Sequence, residues 1–251
     1  MTGAFEDVRY DGGPDAPGEV EAFLVHPASA APGSCAAIVF WHWLDAEAPD
    51  GNRSQFRDEA TELAGHGVVS LLPQGRFPWT IAPTGSHADA AEVRREVARL
   101  RAGLDLLAAR PDVDSERLAI VGHDYGAMLG MVAAAADPRV RAMVVIAATP
   151  RWSDWNVPFW GLAEGQLDYD QAMHELDPIE RAADLAGRPV LLQFAERDFY
   201  IPMMAGLRFQ RAIGDSAEFK RYDTDHGFRH PDARVDRRTY LERALDLPPA
   251  A

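Results

Sequence analysis

Short, almost wholly apolar segments alternate with longer helical patterns along most of the 251-residue chain. Apolar runs of this length fit strands that are covered on both faces, as in a parallel sheet with helices above and below it. The predicted strands are residues 20–25, 36–41, 68–72, 118–121, 142–146, 190–194 and 217–222. The predicted helices are residues 54–64, 88–109, 125–136, 203–212 and 233–245. We therefore expect one α/β domain, residues 1–251, with a mostly parallel central sheet.

One interval departs from this alternation. Residues 149–185 follow a predicted strand but contain an aromatic cluster and a helical pattern around residues 175–183. We interpret the interval as a small lid, because the carboxyl ends of parallel strands face the ligand crevice. The aromatic residues expected to close the pocket and contact substrate are Trp152, Trp155, Trp160 and Tyr169. Burial against the sheet edge or a second subunit is the open alternative, so a homodimer is also considered.

Composition narrows the functional classes. The net charge of −14 opposes binding to nucleic acid or to anionic membranes, so a small-molecule substrate is expected. The sequence contains no apolar run of membrane-spanning length and begins without a signal-peptide pattern, which favours a cytoplasmic protein. The single cysteine, Cys35, lies at the start of an apolar run and is expected to be a buried small hydrophobic residue.

The segment that carries the chemistry is Gly122-His123-Asp124-Tyr125-Gly126, which joins an apolar strand to a small-residue helix. This arrangement is typical of the nucleophile elbow, G-x-S-x-G, in which a strained turn presents the central residue above the sheet. The flanking glycines allow the strand and the helix to approach closely. Here the central residue is Asp124 instead of serine. The alternative is that Asp124 only caps the following helix.

Two downstream loops supply partners in the chain order that follows such an elbow, acid and then histidine. Asp198 follows the predicted strand 190–194 and is the expected orienting acid, with Glu196 as the alternative. His226 follows the predicted strand 217–222 and is the expected base. His230 and nearby aspartates could suggest a metal, but no helix aligns them, and we expect neither metal nor cofactor.

With these residues, the chain resembles an α/β-hydrolase of the dienelactone-hydrolase and acylaminoacyl-peptidase-like branch. The resemblance covers residues 36–230 and includes Phe40-Trp41-His42-Trp43, the elbow, Asp198 and Asp225-His226-Gly227-Phe228. That branch normally carries serine or cysteine at the elbow. The aspartate elbow is instead similar to those of haloalkane dehalogenases, fluoroacetate dehalogenases and epoxide hydrolases. Their His-Gly-x-Pro stretch is replaced here by His42-Trp43-Leu44-Asp45. The resemblance implies the α/β-hydrolase fold and a hydrolase that forms an alkyl-enzyme ester.

A carboxylate is already ionised at neutral pH and can attack an sp³ carbon directly. We therefore expect Asp124 to open a small organic epoxide or displace a halide, after which His226 activates water to hydrolyse the ester. The expected oxyanion donors are the backbone N–H of Tyr125 and that of Trp43 or Leu44. The leaving group would be stabilised by the aromatic residues of the lid or by Tyr200.

Two other functions remain open from the sequence. In the first, the protein is an esterase or lactonase in which Asp124 acts as a base or forms a transient anhydride. In the second, it is a binding protein that has lost the serine and does no chemistry. The second is less consistent with the sequence, because a binding protein does not need the water-activating pair of Asp198 and His226.

Overall fold

The computed structural model describes residues 4–45 and 47–248, which form an eight-stranded sheet with flanking helices. The sheet order is β1-β2-β4-β3-β5-β6-β7-β8; β1 and β2 are antiparallel to their neighbours, and β3 to β8 run parallel. The strands are β1 (Ala4–Asp11), β2 (Glu19–His26), β3 (Cys35–Trp41), β4 (Val68–Pro73), β5 (Val113–His123), β6 (Val140–Ile146), β7 (Val190–Ala195) and β8 (Ala217–Tyr222). This mostly parallel sheet confirms the predicted fold class.

The five helices predicted outside residues 149–185 lie close to their predicted positions, whereas the helices at Trp152–Phe159 and Gln166–Met173 were not predicted. The helices are α1 (Arg57–Ala64), α2 (Ala88–Ala108), α3 (Tyr125–Ala136), α4 (Trp152–Phe159), α5 (Gln166–Met173), α6 (Pro178–Arg181), α7 (Met203–Ile213) and α8 (Pro231–Ala244). Short 3-10 turns at His174–Leu176 and Ala182–Leu185 flank α6. None of the helices in the described part of the chain is long and apolar enough to cross a membrane.

Strand β1 was not predicted, because its residues do not form an apolar run. It lies at the sheet edge and pairs only with β2, so most of its side chains are exposed or half-buried. Strand β5 also begins earlier than predicted, since its first part is polar and partly exposed while its second part is fully buried. Strands β3, β4 and β7 are buried at every position, which explains why their sequences are apolar apart from Ser70 in β4 and Gln193 in β7.

The fold brings the candidate catalytic residues to one edge of the sheet. Asp124 follows β5, Asp198 follows β7 and His226 follows β8. These three strands are parallel, so their carboxyl ends point the same way and the loops after them converge.

Candidate active site

Asp124 lies on a strained turn between β5 and α3. Its backbone has φ 56° and ψ −119°, a conformation that is unfavourable for a residue with a Cβ atom. The turn is tight on both sides: a Cβ on Gly122 would lie 2.5 Å from Ala127 Cα, and one on Gly126 would lie 2.2 Å from Trp41 O. Only glycine fits at these two positions, and the result is the geometry that the elbow pattern predicts.

His226 is held in place by Asp198. Nδ1 of His226 donates to Asp198 Oδ2 at 2.8 Å. The other carboxylate oxygen, Oδ1, accepts the backbone N–H groups of Tyr200 and Ile201 at 2.8 and 2.9 Å. Glu196, the alternative acid, instead pairs with Arg221 at 3.4 Å and is partly exposed. Asp198 therefore fixes the imidazole so that Nε2 is directed towards the elbow.

Asp124 and His226 face each other without a direct hydrogen bond. The distance from His226 Nε2 to Asp124 Oδ2 is 3.8 Å, and both side chains are buried. The other carboxylate oxygen of Asp124, Oδ1, accepts the indole N–H of Trp155 at 2.6 Å. One oxygen of Asp124 is thus held by a donor, while the other is directed towards the imidazole.

The charges of the site favour a protonated histidine. Burial lowers the pKa of His226, but the hydrogen bond to Asp198 and the negative charges of Asp124 and Asp198 outweigh this effect and raise it from 6.5 to about 9. Burial raises the pKa of Asp124, while the positive charge of His226, the indole of Trp155 and the backbone N–H of Tyr125 act in the opposite direction and favour its anion. We therefore assign the proton of the pair to His226 and the negative charge to Asp124.

This assignment predicts the effect of removing one charge. In the Asp124→Asn variant the pKa of His226 should fall below about 9, since the imidazolium loses one of its two anionic neighbours. Nitrogen NMR of the imidazole across a pH titration measures this value. Asp225→Asn is the control, because Asp225 is exposed on the cavity wall. An equal pKa in wild type and Asp124→Asn would show that the two side chains are not coupled.

The expected oxyanion donors differ in their availability. The backbone N–H of Tyr125 interacts with the Asp124 carboxylate. The backbone N–H of Trp43 is already used, because it donates to Gln55 Oε1 at 3.0 Å. Leu44 lines the cavity, and within the described residues its N–H has no acceptor. Of the two alternatives in this loop, Leu44 is therefore the one whose N–H is not used by another described residue.

Asp124 and His226 line a cavity of about 650 Å³, and Asp198 bonds His226 from outside its wall. Of the residues predicted to bind substrate, Trp155, Trp160 and Tyr200 lie in its wall. The aromatic part of the wall consists of Trp43, Tyr125, Trp155, Phe159, Trp160, Phe199 and Tyr200. The charged part, apart from the catalytic groups, consists of Asp45, Glu47, Arg197, Asp225 and Arg229. The cavity can therefore hold a small organic molecule with an apolar portion.

Trp152 and Tyr169 do not line the cavity, which corrects their predicted role. Both side chains are fully buried. The indole N–H of Trp152 donates to Leu176 O at 2.8 Å, and the Tyr169 hydroxyl bonds Asn156 and, at 3.4 Å, Asp89. Their polar tips are satisfied inside the protein, so their rings fill the core instead of a substrate wall.

The interval predicted as a lid has two structurally different parts. Helix α4 supplies Trp155 and Phe159 to the cavity wall, and Trp160 follows directly after it. By contrast, α6 packs against α3 and α7. The cover of the cavity therefore comes from α4 and the residue after it.

Several residues at or behind the site were not predicted, and Phe159, Arg229 and Gln55 are among them. Phe159 lies four positions after Trp155, a helical spacing that could have identified it. Arg229 lies in the cavity wall close after His226. Gln55 joins Trp43 to the elbow, because its Nε2 donates to His123 Nδ1 at 2.7 Å. No sequence pattern marks Gln55 or His123, since their partners come from distant parts of the chain.

Solved structures share this fold at low sequence identity. An acetyl xylan esterase from Paenibacillus sp. R4 superposes with a TM-score of 0.79 at 18% identity, over 98% of this chain and 85% of that one. A Klebsiella pneumoniae protein assigned as a dienelactone hydrolase superposes with a TM-score of 0.68 at 19% identity, over 97% of this chain and 99% of that one. The acylaminoacyl peptidase of Pyrococcus horikoshii superposes with a TM-score of 0.72 at 17% identity, and the chain spans 43% of that peptidase's length.

No curated protein is detectably similar to the chain in sequence. The family comparison is more informative, because residues 20–246 match the dienelactone hydrolase family. This match covers both the elbow and the histidine loop. The chain is an α/β-fold hydrolase that belongs to the dienelactone hydrolase family.

Proposed function

We propose that the protein hydrolyses a small ester or lactone whose leaving group is a weakly basic oxygen, such as that of an enol or a phenol. The family and the esterase fold support this substrate class above an epoxide or a halide. The observation that carries the proposal is the position of Asp124, which lies at the elbow opposite an imidazole oriented by Asp198. In this proposal Asp124 is the nucleophile.

In the first step, Asp124 Oδ2 attacks the carbonyl carbon of the ester. The bond to the leaving oxygen breaks, and this oxygen takes the proton from His226 Nε2, which leaves a mixed anhydride on Asp124. A carboxylate is a weak base and a better leaving group than an alkoxide. Attack on an ordinary alkyl ester would therefore reverse, whereas an enol or phenol leaving group makes the step feasible.

In the second step, the enzyme is ready to activate water. The anhydride has removed the negative charge of Asp124, and His226 has lost its proton, so the imidazole is now a neutral base. It takes a proton from water, and the hydroxide opens the anhydride to give the acid product and free Asp124. If water attacks the aspartyl carbon, the oxyanion forms on Oδ1, which already accepts the indole N–H of Trp155, and the N–H of Tyr125 interacts with the same carboxylate.

A second candidate is the alkyl-enzyme ester route on an epoxide or a halide. The observation that favours it is that Asp124 Oδ2 has no direct hydrogen bond to His226, the separation being 3.8 Å. An ionised oxygen that no donor holds is suited to attack an sp³ carbon. The later hydrolysis of the ester would use the same histidine and the same donors.

One set of assays separates these routes. Wild type and Asp124→Ala are tested on aryl acetates, lactones, epoxides and haloacids, with hydroxylamine present in a parallel series. Turnover of esters or lactones that depends on Asp124, with capture of an acyl hydroxamate, supports the proposal. Turnover only of epoxides or haloacids, with heavy oxygen from water entering Asp124 in a single turnover, supports the alkyl-ester route. Ester turnover that survives in Asp124→Ala contradicts both.

The proposal also predicts the effect of losing the indole donor. Trp155→Phe keeps the aromatic ring but removes the N–H that bonds Asp124 Oδ1. We expect kcat to fall by about 10²-fold, the usual cost of one oxyanion donor. Trp160→Phe is the matched control, because the Trp160 indole donates to the Tyr125 hydroxyl and not to Asp124. Equal losses in the two variants would assign Trp155 a packing role only.

A further inference from the structure

The mouth of the cavity carries a large exposed aromatic surface. Phe199 is 83% exposed, and Phe159, Trp160 and Tyr200 are 40%, 41% and 41% exposed. All four side chains line the cavity that contains Asp124, and we refer to them together as the aromatic rim. Large apolar side chains left open in one patch usually mark a binding surface.

Tyr200 connects the aromatic rim to the catalytic residues. Its ring centroid lies 5.1 Å from that of His226 and 5.3 Å from that of Phe199. The Tyr200 ring centroid also lies 5.4 Å from that of Phe159 and 5.5 Å from that of Trp155. Aromatic rings at such separations are in contact. A continuous aromatic surface therefore runs from the catalytic imidazole to the outside of the protein.

The position of the aromatic rim indicates which part of the substrate it would contact. In the proposed function, His226 protonates the leaving oxygen, so the leaving group lies next to the imidazole. Tyr200 contacts that imidazole and continues into the rim. A flat apolar leaving group would therefore lie against Tyr200 and reach Phe199.

We propose that the aromatic rim is the subsite for an aromatic leaving group, and that the preferred substrates are aryl esters. This inference rests on the proposed function and specifies its substrate class. Offset or edge-to-face contacts with Tyr200 and Phe199 would hold the aryl ring while the carbonyl carbon lies at Asp124. The continuity of the rim with the catalytic cavity favours this occupant over a second copy of the chain.

The test compares two acetate esters that differ only in the leaving group. Naphthyl acetate has a broad aromatic leaving group, and vinyl acetate has a small enol. In Phe199→Ala, kcat/KM for naphthyl acetate should fall by about tenfold more than kcat/KM for vinyl acetate. Leu167→Ala is the matched control, because Leu167 is 70% exposed and lies on α5 outside the cavity wall.

A binding measurement separates this inference from the proposed function. Naphthol is titrated into wild type and Phe199→Ala by calorimetry. If naphthol binds Phe199→Ala more weakly than wild type but the protein cleaves no ester, the aromatic rim is supported as an aryl-binding subsite and the proposed function is rejected. If Phe199→Ala lowers kcat/KM equally for the two esters, or does not lower it, the aromatic rim is not the leaving-group subsite, and the proposed function stands. If Phe199→Ala differs from wild type in oligomeric mass in solution but not in its preference between the two esters, a second copy of the chain covers Phe199. This result would also reject the leaving-group subsite.

Discussion

Replacing Asp124 with asparagine should lower kcat/KM by about 10⁴-fold, because an amide has neither the charge nor the basicity of the nucleophile. The change is nearly isosteric, so the contacts of the elbow can persist. It also removes a charge that burial disfavours, since burial raises the pKa of Asp124. We therefore expect the melting temperature to stay close to that of wild type while activity is lost. Steady-state kinetics on an aryl acetate and thermal unfolding measure the two effects.

The control for this variant removes a different negative charge from the same cavity. Asp45 lines the cavity wall but has no contact with His226 among the described residues. Asp45→Asn should leave kcat close to that of wild type. If Asp124→Asn kept a substantial part of the activity, Asp124 would not be the nucleophile, and a nucleophile would have to be sought elsewhere.

The sheet and the convergence of the three catalytic candidates followed from the sequence for a clear physical reason. Parallel strands buried on both faces have continuous apolar sequences, and the loops after them must lie at one edge of the sheet. Asp124 follows β5 directly, Asp198 comes three residues after β7, and His226 comes four residues after β8, an edge strand that is only partly buried. Strand β1 was missed because an edge strand has no such apolar run.

The roles of individual aromatic residues could not be predicted in the same way. Trp152 and Trp155 lie three positions apart on α4, yet one fills the core and the other contacts Asp124. The difference comes from tertiary partners, since Leu176 O accepts the indole N–H of Trp152. Gln55 was missed for a related reason, because its importance lies in bonds to Trp43 and to the elbow.

The chemistry of the site was predicted less well than its geometry. The aspartate elbow alone led to the expectation of an epoxide or a halide as substrate. The family match favours the alternative, an esterase or lactonase. The type of residue at the elbow constrains how the carbon is attacked, but it does not determine which carbon the cavity presents to Asp124. That choice depends on the cavity wall, where Trp155 comes from α4 whereas Phe199 and Tyr200 come from the loop between β7 and α7.

The second large effect is expected from His226→Gln assayed with para-nitrophenyl acetate. Its leaving group is so weakly basic that it departs without a proton, so the first step should proceed in the variant. Glutamine cannot activate water, and the second step should slow by about 10³-fold or more. The variant should release one equivalent of para-nitrophenol in a burst and then stop. Intact-protein mass spectrometry should show an acetylated chain, and peptide mapping should place the acetyl group on Asp124.

Two controls make this result specific. The double variant Asp124→Ala/His226→Gln should show neither burst nor adduct, because the acceptor is gone. His230→Gln should behave like wild type, since His230 lies outside the wall of the catalytic cavity.

A burst with an adduct that contains the intact substrate, observed only with epoxides, would indicate the alkyl-ester route. If wild type hydrolyses para-nitrophenyl acetate but His226→Gln shows neither burst nor adduct, water attacks the ester directly and Asp124 is not the nucleophile. In that case the raised pKa of His226 would make Asp124, the ionised member of the pair, the base that activates the water.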